Sequence, residues 1–81
     1  MVKKLSDINA VYLNSEALKM INYDETLKIL EATFNSERTY QYMNVPENTW
    51  IEFLVVINSG DSAGEFINRR VKPFYNCIEI D

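Results

Sequence analysis

The spacing of apolar residues changes near Pro46 and changes back near Tyr75. Before Pro46 they recur at every second position or crowd both sides of a segment. Between those two points they recur at three and four. Ala17 to Tyr23 reads as a strand that is apolar on both faces, with Leu18 and Met20 against Ile21 and Tyr23. Asp24-Glu25-Thr26 is a polar turn. Leu27 to Phe34 predicts a second strand carrying Leu30, Ala32 and Phe34 on one face. Asn35-Ser36-Glu37-Arg38 is a tight polar connection. Thr39 to Val45 predicts a third strand on which Tyr40 and Tyr42 share a face. Short strands joined by short turns make a β-meander.

Proline suits the start of a helix, and Glu47 behind Pro46 suits the positive end of the helix dipole. Trp50, Phe53, Leu54 and Ile57 then fall at i, i+3, i+4 and i+7, a core-facing helical stripe. Asn58-Ser59-Gly60 ends that helix. Ser62-Ala63-Gly64-Glu65 has the capping-box pattern and opens a second, short helix, buried through Phe66, Ile67 and Val71 and stopped by Pro73. Tyr75 to Ile80 alternates again and predicts a last strand beside the meander. The expected fold is therefore α+β: an antiparallel β-meander, two helices packed on one face and a C-terminal strand, in the order β-β-β-α-α-β. Residues 1–13, where Ile8, Val11 and Tyr12 have helical spacing but Val11 and Leu13 have strand spacing, are expected to be an arm. Residues 14–81 are expected to form the single domain.

A chain of 81 residues holds one domain with a core near the lower practical limit. The composition suits that limit, at 47% hydrophobic with one Trp, four Phe, five Tyr and only four Gly and Pro together. Cys77 is the only cysteine, so packing rather than an internal disulfide must hold the domain, and a reducing cytoplasm is the expected location. No apolar run approaches the roughly 20 residues that span a bilayer, so no membrane is expected. The net charge of −4 favours solubility and works against non-specific attraction to phosphate backbones.

The chain has no histidine, which removes most acid–base and hydrolytic designs at neutral pH. Gly60-Asp61-Ser62 faintly resembles a serine-nucleophile signature, but no triad can be built and Ser62 has a sufficient role as a cap. Cys77 has no histidine to activate it and reads as a small buried residue in an alternating strand. One cysteine and no histidine cannot make a zinc site, Asp24-Glu25 lacks the spacing of a calcium loop, and no glycine-rich phosphate loop is present. No enzyme, metal or cofactor is expected.

Two features remain. Tyr40 and Tyr42 would project from one face about 6.5–7 Å apart, either as core with tied hydroxyls or as rings exposed to a ligand. Arg69, Arg70 and Lys72, beside Asn68, form the densest positive cluster in an acidic chain. They either complement the helix terminus or recognise phosphate or carboxylate.

The run Ile21-Asn22-Tyr23-Asp24, then Leu30, Ala32 and Phe34, then Tyr40-Gln41-Tyr42 and Val45-Pro46 resembles the KTSC domain. That domain occurs at the C-terminus of some lysyl-tRNA synthetases and as stand-alone small proteins. Ser62-Ala63-Gly64, Phe66-Ile67-Asn68, Val71-Lys72 and Tyr75 extend the resemblance over roughly residues 14–76. Three departures stand out. Glu37 occupies a turn position usually held by glycine, where Asn35 could supply the left-handed residue instead. The stretch between Pro46 and Ser62 is about one helical turn longer than usual. Ile67 replaces an aromatic. The synthetase context implies RNA binding by association. The expected ligand surface is therefore Tyr40, Tyr42, Asn68, Arg69, Arg70 and Lys72, with RNA or a nucleotide as partner. The alternative is a protein partner docking on an exposed apolar patch at Trp50, Ile51, Val55 or the Leu18 to Tyr23 strand.

Overall fold

A computed structural model describes Leu5 and residues 9–80 of the chain. The sheet has five antiparallel strands in sequence order: β1 (Val11–Tyr12), β2 (Leu18–Asp24), β3 (Ile29–Phe34), β4 (Thr39–Tyr42) and β5 (Cys77–Ile80). Between β4 and β5 lie α1 (Glu47–Asn58) and α2 (Ala63–Phe66), the latter continuing into a wider π-helical stretch (Ile67–Val71). The expected α+β layering, with both helices on one sheet face and the last strand beside the meander, is present. The expected order lacks β1: Val11 and Tyr12 pair with Ile21 and Met20. The rest of the expected arm, including Ile8 of its helical spacing, lies outside the described residues except for Leu5, Asn9, Ala10 and Leu13.

The core sits between the helices and the face bearing Ile21, Tyr23, Leu30, Ala32 and Tyr42. Trp50, Phe53, Phe66, Ile67 and Val71 close it from above. Phe53 is at its centre, stacked on Phe66 at 4.5 Å between centroids and edge-on to Trp50 at 6.4 Å. Such pairs add about 0.5–1.5 kcal/mol beyond the area they bury. Leu18 joins Ile21 in this core, although simple alternation would put Leu18 with Met20. The register shifts between Leu18 and Met20, so a bulge at Lys19 returns Leu18 to the helix side.

The opposite face is also closed, and its centre is polar. Asn22, Glu31 and Gln41 lie side by side across β2, β3 and β4, all buried. Gln41 Nε2 donates to Glu31 Oε1 at 2.9 Å, and the Leu5 amide donates to the same oxygen at 3.1 Å. Thr33 and Thr39 pair through their hydroxyls at 3.0 Å in the next row.

The expected turns and caps form, with one exchange of roles. Asp24 Oδ1 accepts from the amides of Thr26 and Leu27 and so ends β2. Ser62 accepts from the Glu65 amide at 3.1 Å and starts α2. Gly60, at φ +82°, ends α1. In the β3–β4 turn the left-handed residue is Glu37 itself, at φ 73°, not Asn35. Asn35 instead donates through Nδ2 to the carbonyls of Ser15 and Glu16, both at 2.9 Å. It ties the turn to the loop before β2 rather than bending it.

Candidate functional site

The alternation of β4 puts Tyr40 and Tyr42 on the helix side of the sheet, opposite Ala32 and Leu30. Their fates differ because the helices cover only part of that side. Tyr42 lies deeper and is 3% exposed, within the core. Tyr40 is half-buried at the core's margin and meets Phe34 edge-to-face at 5.6 Å. The paired stacking platform considered from the sequence is therefore absent: one ring borders solvent and the other is sealed.

A groove of about 310 Å³ opens beside these rings. It is lined by Phe34, Ser36, Arg38, Tyr40, Tyr42, Ile67, Asn68, Lys72 and Cys77. The β3–β4 turn forms one wall, the π-helical stretch the other, and the edge strand β5 one end. Four expected site residues meet there: Tyr40, Tyr42, Asn68 and Lys72. Arg69 and Arg70 do not. They lie on the flank of α2 that faces α1, where Arg69 pairs with Glu65 at 3.0 Å and Arg70 with Glu52 at 2.8 Å. Arg70 also stands over the Phe66 ring at 6.0 Å. The basic run is split because the stretch is π-helical, with the Lys72 amide bonded to the Ile67 carbonyl; its wider turn parts Arg69 from Lys72, which an α-helix would set on one face at i and i+3.

The cation that sequence reasoning missed is Arg38. It sits two residues before Tyr40, and the two-residue period of the strand was the signal that would have placed it on the tyrosine side. Its guanidinium is held above its ordinary pKa by the Tyr40 hydroxyl and, at 4.0 Å, by Glu79. Lys72 makes no ion pair with a described residue.

The two buried tyrosines contrast sharply in their hydroxyls. Tyr23, stacked on Trp50 at 5.5 Å, donates to the Val45 carbonyl at 2.5 Å. The Tyr42 hydroxyl makes no hydrogen bond to a described residue and is not sealed from the groove. Burial pushes the Tyr42 phenol up to about 12, with smaller contributions from Cys77 and Tyr40, so it is a neutral O–H donor at every physiological pH.

Cys77, expected to be buried, is exposed. It pairs with Tyr42 on β4, but β5 is the sheet edge and its helix-side positions face the groove rather than the core. Asn68 also lines a second hollow, of about 760 Å³, whose lining includes Glu16, Asp61 and Glu65. The two hollows thus differ in lining: the first is basic and aromatic, the second carries carboxylates. Among the described residues no group of three or more His, Cys, Asp or Glu could hold a metal ion, and no helix is long and apolar enough to cross a membrane.

A family model described as the KTSC domain matches residues 14–75. The fold is similar to the crystal structure of a KTSC domain protein from Yersinia pestis. The TM-score is 0.79 and the identity 29%, over 90% of this chain and 97% of that one. A protein of Tsukamurella paurometabola is 29% identical over 68 residues, covering 84% of this chain and 96% of the relative.

Proposed function

Given that the chain belongs to the KTSC domain family, we propose that it is a non-catalytic module that binds one nucleotide unit of RNA, or a free nucleotide, in the groove beside Tyr40. The observation that carries this reading is the meeting of Arg38, Lys72, Tyr40 and Asn68 around one opening. A base stacked on the open side of Tyr40 contributes roughly 1–3 kcal/mol. The two cations supply the attraction to phosphate that the net charge of −4 otherwise opposes. The absence of histidine leaves no general base suited to neutral pH, and we place the module in a reducing compartment such as the cytoplasm on the strength of its single cysteine.

The groove size sets the scale of the contact. Ligand pockets run from about 300 to 1,000 Å³, so this one takes a nucleotide rather than a strand. The test is titration of a short, labelled single-stranded RNA at several salt concentrations. The one phosphate of a bound nucleotide unit predicts a slope of log K against log salt of about −0.7. No binding, or binding that ignores salt, overturns the reading.

A protein partner is the second reading. It is favoured by Ile51 and Val55, which lie one turn apart on the outer side of α1 at 52% and 58% exposure. The other surfaces expected for it are closed: Trp50 is buried, and so are both faces of β2. Capture of a partner that Ile51→Asp abolishes, with no RNA affinity, would favour this reading over the first.

A further inference from the structure

We infer that the groove selects a terminal phosphate monoester, so that its ligand is a nucleoside monophosphate or the phosphorylated end of an RNA rather than an internal stretch. This deepens the nucleotide reading above and rests on it. Three observations lead to it. The first is the Tyr42 hydroxyl. The residue is 3% exposed, but its hydroxyl has no hydrogen-bond partner among the described residues and, unlike that of Tyr23, is not sealed from the groove whose wall it joins. A neutral donor at the groove wall is free to serve an acceptor that reaches in.

The second is the charge match. Arg38 and Lys72 bring two positive charges to the opening, and Tyr42 adds an uncharged donor between sheet and helix. A phosphate monoester carries about −1.5 to −2 at neutral pH and three strong acceptor oxygens. An internal diester carries one charge, has two free oxygens and must leave the groove in both directions.

The third is the neighbouring hollow, which shares Asn68 and is lined also by Glu16, Asp61 and Glu65. Glu65 is paired with Arg69, but Glu16 and Asp61 make no ion pair with a described residue. A strand continuing past Asn68 would lay its next phosphate against these carboxylates. A chain end stops short of them.

The experiment compares five probes by calorimetry: adenosine, adenosine 5′-monophosphate, and a tetra-adenylate with no terminal phosphate, with one at the 5′ end or with one at the 3′ end. A hydrogen bond from a buried donor to a charged acceptor predicts about tenfold tighter binding of each phosphorylated probe than of its unphosphorylated counterpart. Tyr42→Phe keeps the ring and removes the donor. It is expected to remove most of that preference. Lys72→Ala, at an exposed position, is expected to reduce the preference too and serves if Tyr42→Phe does not fold. Equal affinity of the monophosphate and the phosphorylated tetramer would identify the free nucleotide as the source; tighter binding of the tetramer would identify the RNA end. Equal binding of phosphorylated and unphosphorylated tetramers overturns the inference and leaves the nucleotide reading standing. No binding of any probe removes both.

Discussion

The two flanks of the helical stretch from Ala63 to Lys72 carry similar residues and use them differently. On the flank facing α1, Arg69 and Arg70 each have a glutamate within 3.0 Å, and Arg70 also covers the Phe66 ring. On the flank facing the β3–β4 turn, Lys72 has no ion pair with a described residue, Arg38 has a loose one at 4.0 Å with Glu79, and the Tyr42 hydroxyl has no described hydrogen-bond partner. The first flank satisfies its charges internally and helps fasten two helices together. The second holds its cations more loosely, around a hollow. A count of basic residues along the sequence gives the first flank more weight, although a cation offers a ligand most when its own chain has not already engaged it.

The largest effect should come from removing the platform that both flanks share. Phe53 is fully buried and stacked on Phe66, so Phe53→Ala should cost about 3–5 kcal/mol in urea unfolding. A loss under about 1 kcal/mol would mean that the core does not support the two flanks as described. The next contrast is between hydroxyls. Tyr23→Phe leaves the Val45 carbonyl without its donor and should cost about 1–3 kcal/mol. Tyr42→Phe breaks no hydrogen bond to a described residue and should stay within about 0.5 kcal/mol of the parent. Equal losses from the two would show that the Tyr42 hydroxyl is engaged after all.

Smaller effects separate the cations directly. Arg38→Ala combined with Lys72→Ala should weaken nucleotide binding about tenfold, whereas Arg69→Ala combined with Arg70→Ala should change it less than about twofold. The reverse order would restore the flank chosen from sequence. Tyr42 also gives a signature in base. Its pKa lies at about 12 in the folded chain against 10.0 ordinarily, so the unfolded chain loses that proton first. Stability from this source is intact below pH 10 and falls as pH rises from 10 towards 12. Unfolding midpoints measured across that interval should fall less steeply in Tyr42→Phe; an unchanged slope would argue against a desolvated phenol. The smallest change concerns the turn beside Arg38. Glu37 holds a left-handed conformation, so Glu37→Gly should raise thermal stability by less than about 1 kcal/mol, the gain being reduced by loss of the Lys19–Glu37 pair.

Much of the fold was legible because period and punctuation agree. The helical stripe at Trp50, Phe53, Leu54 and Ile57, the Ser62 cap and the turn at Asp24 are all local patterns, and local energetics decide them. Three features depend on distant parts of the chain and were not legible. The bulge at Lys19 moves Leu18 to the face opposite the one alternation gives it. Asn22, Glu31 and Gln41 have the polar alternation of a solvent face, yet Glu31 is closed over by hydrogen bonds that include the distant Leu5 amide. Cys77 has the pattern of a buried strand residue, but its strand is an edge. The site was half legible for the same reason. Tyr40 and Tyr42 announce themselves by spacing, but which ring the helices seal is a matter of three-dimensional coverage. Arg38 was readable from its place two residues before Tyr40 and was hidden only by the denser run at Arg69 to Lys72.

The account rests on the claim that the Arg38–Lys72 flank is the binding surface. Backbone amide shifts measured by NMR during titration with adenosine 5′-monophosphate test it most directly. Changes concentrated at Ser36, Arg38, Tyr40, Asn68, Lys72 and Cys77 are the predicted result. Changes centred on Glu52, Val55, Arg69 and Arg70, with the groove residues unmoved, would contradict it.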